Sequence, residues 1–182
     1  MDNGACSYRR FLGGDEQAFD RILLDYFDGL VFFVNRYVRD IHAAEDIAID
    51  VFSDLLVHRG RYDFRVYFKT YLFMLGRSRA LNYIKHRSKL TFVPLSDAEN
   101  IPSEQLLLEE KLLLDERKLA VNKALSELPE ELRLVVHLVY FEGLSREDTA
   151  RVMKKTVKQV YNLLYRAKNA LRASLGEEGD CL

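Results

Sequence analysis

Residues Leu144 to Leu175, LSREDTARVMKKTVKQVYNLLYRAKNALRASL, admit few arrangements other than two helices around a tight turn. The Ser145 hydroxyl is placed to accept from the backbone N–H of Asp148, and the Asp148 carboxylate sits at the positive end of that first helix. Leu144, Ala150, Val152 and Met153 supply its apolar contacts. The pattern breaks at Lys154 and Lys155, then restarts at Thr156 with Gln159 three residues on, a second capping box. Beyond it Val160, Leu163, Leu164, Ala167, Leu171 and Leu175 recur at helical spacing and define a core-facing stripe. The opposite face carries Lys158, Asn162, Tyr165, Arg166 and Asn169, side-chain types that reach phosphates and base edges in a major groove.

Spacing alone fits a plain antiparallel helix pair equally well. Charge favours the DNA-facing reading, although helical surfaces are often patchy. From Arg151 to Arg172 there are seven basic residues and no acidic one, an electrostatic footprint for phosphate. The net charge of −1 hides this, because the charge is segregated along the chain. Residues 15–60 hold ten acidic and four basic side chains, 61–90 one and eight, and 91–131 ten and four. Two basic blocks alternating with two acidic ones predict two DNA-facing surfaces, with other faces left for protein partners.

The 182 residues suffice for one ordinary domain or two small ones. No apolar run approaches the roughly 20 residues that span a bilayer, and MDNGACSYRR has no apolar segment of the signal-peptide kind. Cys6 and Cys181 stand near opposite ends without metal-ligand or redox spacing, which suits incidental thiols in a reducing cytoplasm. His42 and His58 flank one acidic helix without ligand-type partners at i,i+4, so no metal site is expected.

Almost nothing reads as strand; the expected fold class is all-α. Asp15, Glu16 and Asp20 load the start of a helix whose stripe runs through Phe19, Ile22, Leu23 and Phe27. Gly29 is expected to interrupt it before a second apolar run to Val38. Ile47, Val51, Phe52, Leu55 and Leu56 mark the next helix, with Glu45, Asp46, Asp50 and Asp54 on its other face. Gly60 sits in a loop leading into FRVYFKTYLFMLGRSRALNYIKHRSK. There Arg65, Lys69, Arg77, Arg79, Lys85, Arg87 and Lys89 interleave with Tyr62, Phe64, Tyr67, Phe68, Tyr71, Phe73 and Tyr83. Such a mixture suits separated DNA strands, with cations on the backbone and rings stacked on bases. A core helix with a basic outer face would look similar.

Residues 91–108, with Pro94 and Pro102 and no sustained period, read as a linker. It divides a first helical domain, residues 8–90, from a second, residues 109–176, each small enough to be a simple bundle. In the second, a charged helix ends near Leu128; Pro129 with Glu130 and Glu131 then opens a helix that stops at Gly143. The chain carries no Gly-rich phosphate loop, nucleophile elbow or paired metal motif.

In this order the pieces resemble bacterial sigma factors of the extracytoplasmic-function type. The stretches that carry the resemblance are GDEQAFDRILLDYF, AAEDIAIDVFSDLLVHRGRYD, FKTYLFMLGRSRALNYIKHRSK and the run from Leu125 to Leu175. The resemblance implies two helical domains on a flexible tether and a non-enzymatic role in transcription initiation, with no cofactor. Its implied partners are the clamp coiled coil and flap of core RNA polymerase, promoter DNA and an anti-sigma factor. By the same analogy Glu45, Asp46, Ile49, Asp50 and Phe52 would contact polymerase. Arg59, Arg61, Tyr62, Phe64, Arg65, Lys69, Arg77, Ser78, Asn82 and Lys85 would recognise and open the minus-ten element. Lys154, Lys155, Thr156, Lys158, Gln159, Asn162, Tyr165, Arg166 and Asn169 would read the minus-thirty-five element. The chain departs from the family pattern at Ile49 (commonly Gln), Tyr71 (Trp), Ser78 (Asn) and Asn82 (Asp). It also has Lys154-Lys155 where a glycine and an apolar residue are common. A two-domain helix-turn-helix repressor or activator would account for Leu144–Leu175 but leaves the Tyr62–Lys89 block without a role.

Overall fold

The structure, a computed structural model, describes residues 3–90 and 116–175, with the side chains of 89, 90 and 116–120 left aside. The expected linker and the acidic tail after Leu175 lie outside the described residues. Within them the fold is all helical: α1 (Asn3–Leu12), α2 (Gln17–Val38), α3 (Ile41–Val57), α4 (Phe68–Leu90), α5 (Glu116–Glu127), α6 (Glu130–Val136), α7 (Arg146–Met153) and α8 (Val157–Leu175). A π-helical turn, His137–Phe141, extends α6.

The boundaries reflect local chemistry. Arg39 closes α2 in the left-handed conformation (φ 54°), and the Asp40 side chain accepts from Ala43 N at 3.2 Å to open α3. Glu130 and Glu131 occupy the first turn of α6 after Pro129, where acids complement the helix dipole. Gly143 ends the π turn at φ 67°, a conformation that costs glycine nothing.

Two expectations need correction. Gly29 does not interrupt its helix: α2 runs unbroken across it. A glycine inside a helix costs only about 1 kcal/mol, and a Cβ here would lie 2.9 Å from a carboxylate oxygen of Glu142. The residue serves close approach. Helix α1, too, precedes the element expected to come first; it buries Gly4, Tyr8 and Phe11 against its neighbouring helices.

Helices α1–α4 form one unit around Ile22, Leu30, Phe33, Phe68, Leu72 and Phe73, all fully buried; full burial of such side chains contributes about 1.5–3 kcal/mol each. Helices α5–α8 form the second around Leu132, Val135, Leu138, Val152, Val160 and Leu163. The two units pack together, α7 on α4 and α6 on α2, and share a continuous apolar cluster. The rings of Phe32 and His137 meet across this seam at 4.5 Å.

Candidate nucleic-acid interface

Helix α8 is fixed by the caps around its turn and by its buried stripe. Ser145 Oγ accepts from Asp148 N at 3.0 Å, as expected. Lys154 is left-handed (φ 53°, ψ 48°), and Lys155 N reaches back to Ala150 O at 2.9 Å, so the turn satisfies the last carbonyls of α7. Gln159 N then donates to Thr156 Oγ1 at 3.2 Å while Thr156 N donates to Gln159 Oε1 at 2.8 Å, the reciprocal capping box. Val160, Leu163 and Ala167 face inward. Lys158, Asn162, Tyr165, Arg166 and Asn169 are all exposed on the opposite side, and Lys154 and Gln159 are exposed at the helix start. Lys155 differs: its ammonium is 2.6 Å from Glu131. Sequence patterning does not reveal a further pair. Arg146 donates to the Tyr161 hydroxyl at 2.8 Å with its guanidinium 4.4 Å from the ring centre, extending the polar face across α7.

The second basic block divides. Along α4, Ser78, Asn82 and Lys85 are exposed at i, i+4 and i+7, one face of the helix. Arg77 is half-buried, its guanidinium beside the Tyr37 hydroxyl. Arg79, expected among the strand-holding cations, turns to Asp54 (3.4 Å) and Asp50 (3.8 Å). In the loop between α3 and α4, Arg59, Arg61 and Arg65 are exposed. Arg61 pairs with Asp54, and Arg65 Nε lies 3.2 Å from Asp63.

The aromatics expected to stack on bases belong mainly to the interior. Phe68 and Phe73 are fully buried and Tyr62 is 2% exposed, its hydroxyl donating to Val66 O at 2.7 Å. Packing in a small bundle claims rings at helical spacing before any ligand can. Tyr67, absent from the residues that the resemblance assigns to DNA, is the open ring of the group at 58% exposed. A cleft of about 270 Å³ is lined by Phe64, Arg65 and Tyr67 together with Arg9 of α1 and Arg151 of the second unit. Lys69 is engaged by Glu142 at 2.7 Å.

A groove of about 510 Å³ lies between α2 and α3. Phe19, Leu23, Leu24, Phe27, Ile49, Phe52 and Leu56 line it. Leu24 is 85% exposed and Ile49 is 52% exposed, whereas Phe52 lies buried beneath them. Glu45, Asp46 and Asp50 are exposed on the same helix as Ile49. Contiguous exposed apolar side chains of this kind mark protein-binding surfaces.

Two half-buried acids hold the site in shape. Burial opposes ionisation of Asp54, but the hydrogen bond from Arg61 and the charges of Arg61, Arg79 and His58 outweigh it and hold the carboxyl below its usual range. Glu142 is likewise pushed up by burial and brought down further by the bonds and charges of His137 and Lys69. Of the histidines flanking α3, His58 lies 2.9 Å from Asp54 and His42 lies 3.6 Å from Glu45. No group of three or more His, Cys, Asp or Glu suited to a metal occurs among the described residues.

A capped helix-turn-helix with an open polar face is thus tied to a helical unit that carries a basic loop and an apolar groove. The family models agree with that division: residues 23–90 match Sigma-70 region 2 and residues 118–171 match Sigma-70 region 4. The chain is 31% identical to the RNA polymerase sigma-H factor of Pseudomonas aeruginosa over 170 residues, covering 89% of this chain and 88% of that one. It is 30% identical to the ECF RNA polymerase sigma-E factor of Escherichia coli K12 over 168 residues, covering 87% and 86%. The chain belongs to the extracytoplasmic-function group of the sigma-70 family. Its fold is similar to that of the sigma factor RpoE solved with the anti-sigma factor NepR from Bartonella quintana, with a TM-score of 0.62, 21% identity, and coverage of 88% of this chain and 98% of that one. CnrH, solved with the cytosolic domain of CnrY, gives a TM-score of 0.61 at 18% identity, covering 99% of each chain. No described helix is long and apolar enough to cross a membrane.

Proposed function

We propose that this chain directs core RNA polymerase to a defined set of promoters. The observation that carries the reading is the α8 face, where Lys158, Asn162, Tyr165, Arg166 and Asn169 stand exposed opposite a buried apolar stripe. A helix so presented inserts into the major groove, and its amides and guanidinium discriminate base edges. This is the reader of the minus-thirty-five element, with Lys154, Thr156 and Gln159 at its start near the phosphates. Arg59, Arg61 and Arg65 in the loop and Ser78, Asn82 and Lys85 on α4 receive the separated strand of the minus-ten element. Tyr62 and Phe64 act there by shaping the loop, and Tyr67 offers the accessible ring.

The α2–α3 groove is the seat for the polymerase clamp coiled coil. Ile49 and Leu24 provide its apolar contacts, Phe52 its floor, and Glu45, Asp46 and Asp50 its charged rim. The polymerase flap contacts the second unit. Residues 8–90 and 109–176 are the two functional domains, with 91–108 between them. The chain catalyses nothing itself, needs no cofactor, works in the cytoplasm beside polymerase and is restrained by an anti-sigma factor.

Multi-round transcription of fragmented genomic DNA by purified core polymerase, with and without the chain, tests this reading. Discrete starts that appear only with the chain support it. Absence of new starts together with tight duplex binding by the chain alone would instead identify an ordinary helix-turn-helix regulator.

A further inference from the structure

Helix α1 lies outside the residues matched by the region 2 family model, yet it makes direct contact with the loop between α3 and α4. Tyr8, fully buried, places its hydroxyl 3.2 Å from Leu55 O and 3.0 Å from Arg59 O. Leu55 O lies in the last turn of α3, where a helix leaves its acceptors without intrahelical partners, and Arg59 O lies in the loop just beyond. One phenol therefore ties down the point at which the helix becomes the loop. Burial pushes that phenol's pKa up, so it remains a donor throughout the neutral range.

The ring of the same residue continues into the loop. Its centre lies 5.7 Å from that of Tyr62, 6.3 Å from Phe64 and 5.3 Å from Phe68. Phe64 is left-handed at φ 61°, an uncommon conformation for a bulky side chain that persists only where the surroundings hold it. Tyr62 holds it at 4.6 Å between ring centres, and Arg9, the next residue of α1, lays its guanidinium 4.9 Å from the Phe64 ring centre. Arg59, at the loop's start, covers Phe11 of α1 at 4.6 Å. Thus α1 touches the loop at its entry, at its strained residue and through the rings beneath it.

We propose that Tyr8 is a positioning residue for promoter recognition: by fixing the path of residues 58–67 it sets which minus-ten bases the loop accepts. The proposal rests on the reading of that loop as the minus-ten contact. Tyr8 touches no base. It acts through Arg59 and Phe64, so its loss changes selectivity among minus-ten sequences and leaves minus-thirty-five selectivity alone.

Reconstituted holoenzyme carrying Tyr8→Phe keeps the ring and loses the hydroxyl. Initiation is measured on one mapped promoter and on its single-base variants in both elements. The expected result is a roughly tenfold compression of discrimination across the minus-ten variants, the size of one lost buried hydrogen bond, with unchanged ranking across the minus-thirty-five variants. A uniform fall on every template, or no change, overturns the proposal, since either result leaves Tyr8 with packing alone. Arg9→Gln, at an exposed position, provides a second measurement that does not disturb the core: it should shift the same minus-ten profile in the same direction, and it decides the matter if Tyr8→Phe does not fold. Arg65→Ala, in the loop itself, separates the two failures. If Arg65→Ala changes minus-ten discrimination and the α1 variants do not, only the positioning role falls. If Arg65→Ala changes nothing either, the loop is not the minus-ten contact.

Discussion

The Lys69 ammonium lies 2.7 Å from the Glu142 carboxylate and 2.7 Å from the Glu142 backbone carbonyl, joining positions 73 residues apart. A cation at the start of α4, expected to face DNA, is held instead by an acid of the second helical unit. His137 Nε2 approaches the same carboxylate at 3.3 Å, and Gly29 leaves the room for it. Contact between Lys69 and a promoter therefore requires the two units to part.

This relationship gives a pH dependence with a definite sign. The Glu142 carboxyl is held below the ordinary glutamate range, so its contribution to docking is complete above that range, which lies at about 4.3, and is lost as pH falls through the lower folded value. Glu142→Gln should loosen the seam at neutral pH by about 1–3 kcal/mol. Small-angle scattering of the full chain should show the variant expanded at pH 7, and the wild type expanding only on acidification. Equal radii at pH 7 would remove this pair from the forces that hold the units together.

Leu24 projects almost entirely into solvent at the mouth of the α2–α3 groove, so Leu24→Asp leaves the core untouched. Affinity for core polymerase should drop at least about tenfold if this position anchors the clamp, while the melting temperature stays the same. Pull-down titration against purified core, alongside a thermal melt, reads both quantities.

Arg166 is exposed on the reading face of α8. Arg166→Ala should reduce minus-thirty-five-dependent initiation about tenfold, the scale of one specific base contact. Cys6→Ser, at an exposed position of α1, should not. Equal transcription by Arg166→Ala and wild type on every promoter would take this guanidinium out of the contact set.

Lys154 carries its side chain at φ 53°, a conformation that costs a non-glycine residue about 1–2 kcal/mol. Lys154→Gly should raise the melting temperature by about 2–4 °C for each kcal/mol relieved. It should also flatten the salt dependence of DNA binding if the ammonium meets a phosphate. A melting temperature that falls would show that the lysine side chain contributes more than its backbone loses.

The second unit is legible from sequence because its signals are local. Ser145 with Asp148, Thr156 with Gln159 and the Val160–Leu163–Ala167 stripe each lie within a few residues, and the structure reproduces all three. The broken period places the turn at Lys154 and Lys155, and the left-handed backbone found at Lys154 stands where the family commonly has glycine. Helix α1 is hard to read because it is only ten residues long and one of its three buried positions, Gly4, carries no side chain, although Gly4, Tyr8 and Phe11 stand at i, i+4 and i+7. The fate of the aromatics between Tyr62 and Tyr83 is ambiguous for the opposite reason. Core packing and base stacking call for the same residues, and only tertiary contacts distinguish them. The seam at Lys69 and Glu142 leaves no sequence signal, since nothing local pairs a lysine with an acid so distant along the chain.

The π-helical turn at His137–Phe141 has a consequence for the chain's tolerance of length changes. Such a turn holds one residue more than α-helical geometry would take, each residue advancing about 80° where an α-helical residue advances about 100°. His137 and Glu142 meet the first unit, while Tyr140 and Phe141 point outward at 70% and 65% exposure. Excising one residue would let the turn relax to regular pitch and leave Glu142 near its present azimuth, still facing Lys69. The turn thus takes up slack: the helix accommodates one residue more than regular pitch needs while the acid beyond it keeps its bearing on the first unit.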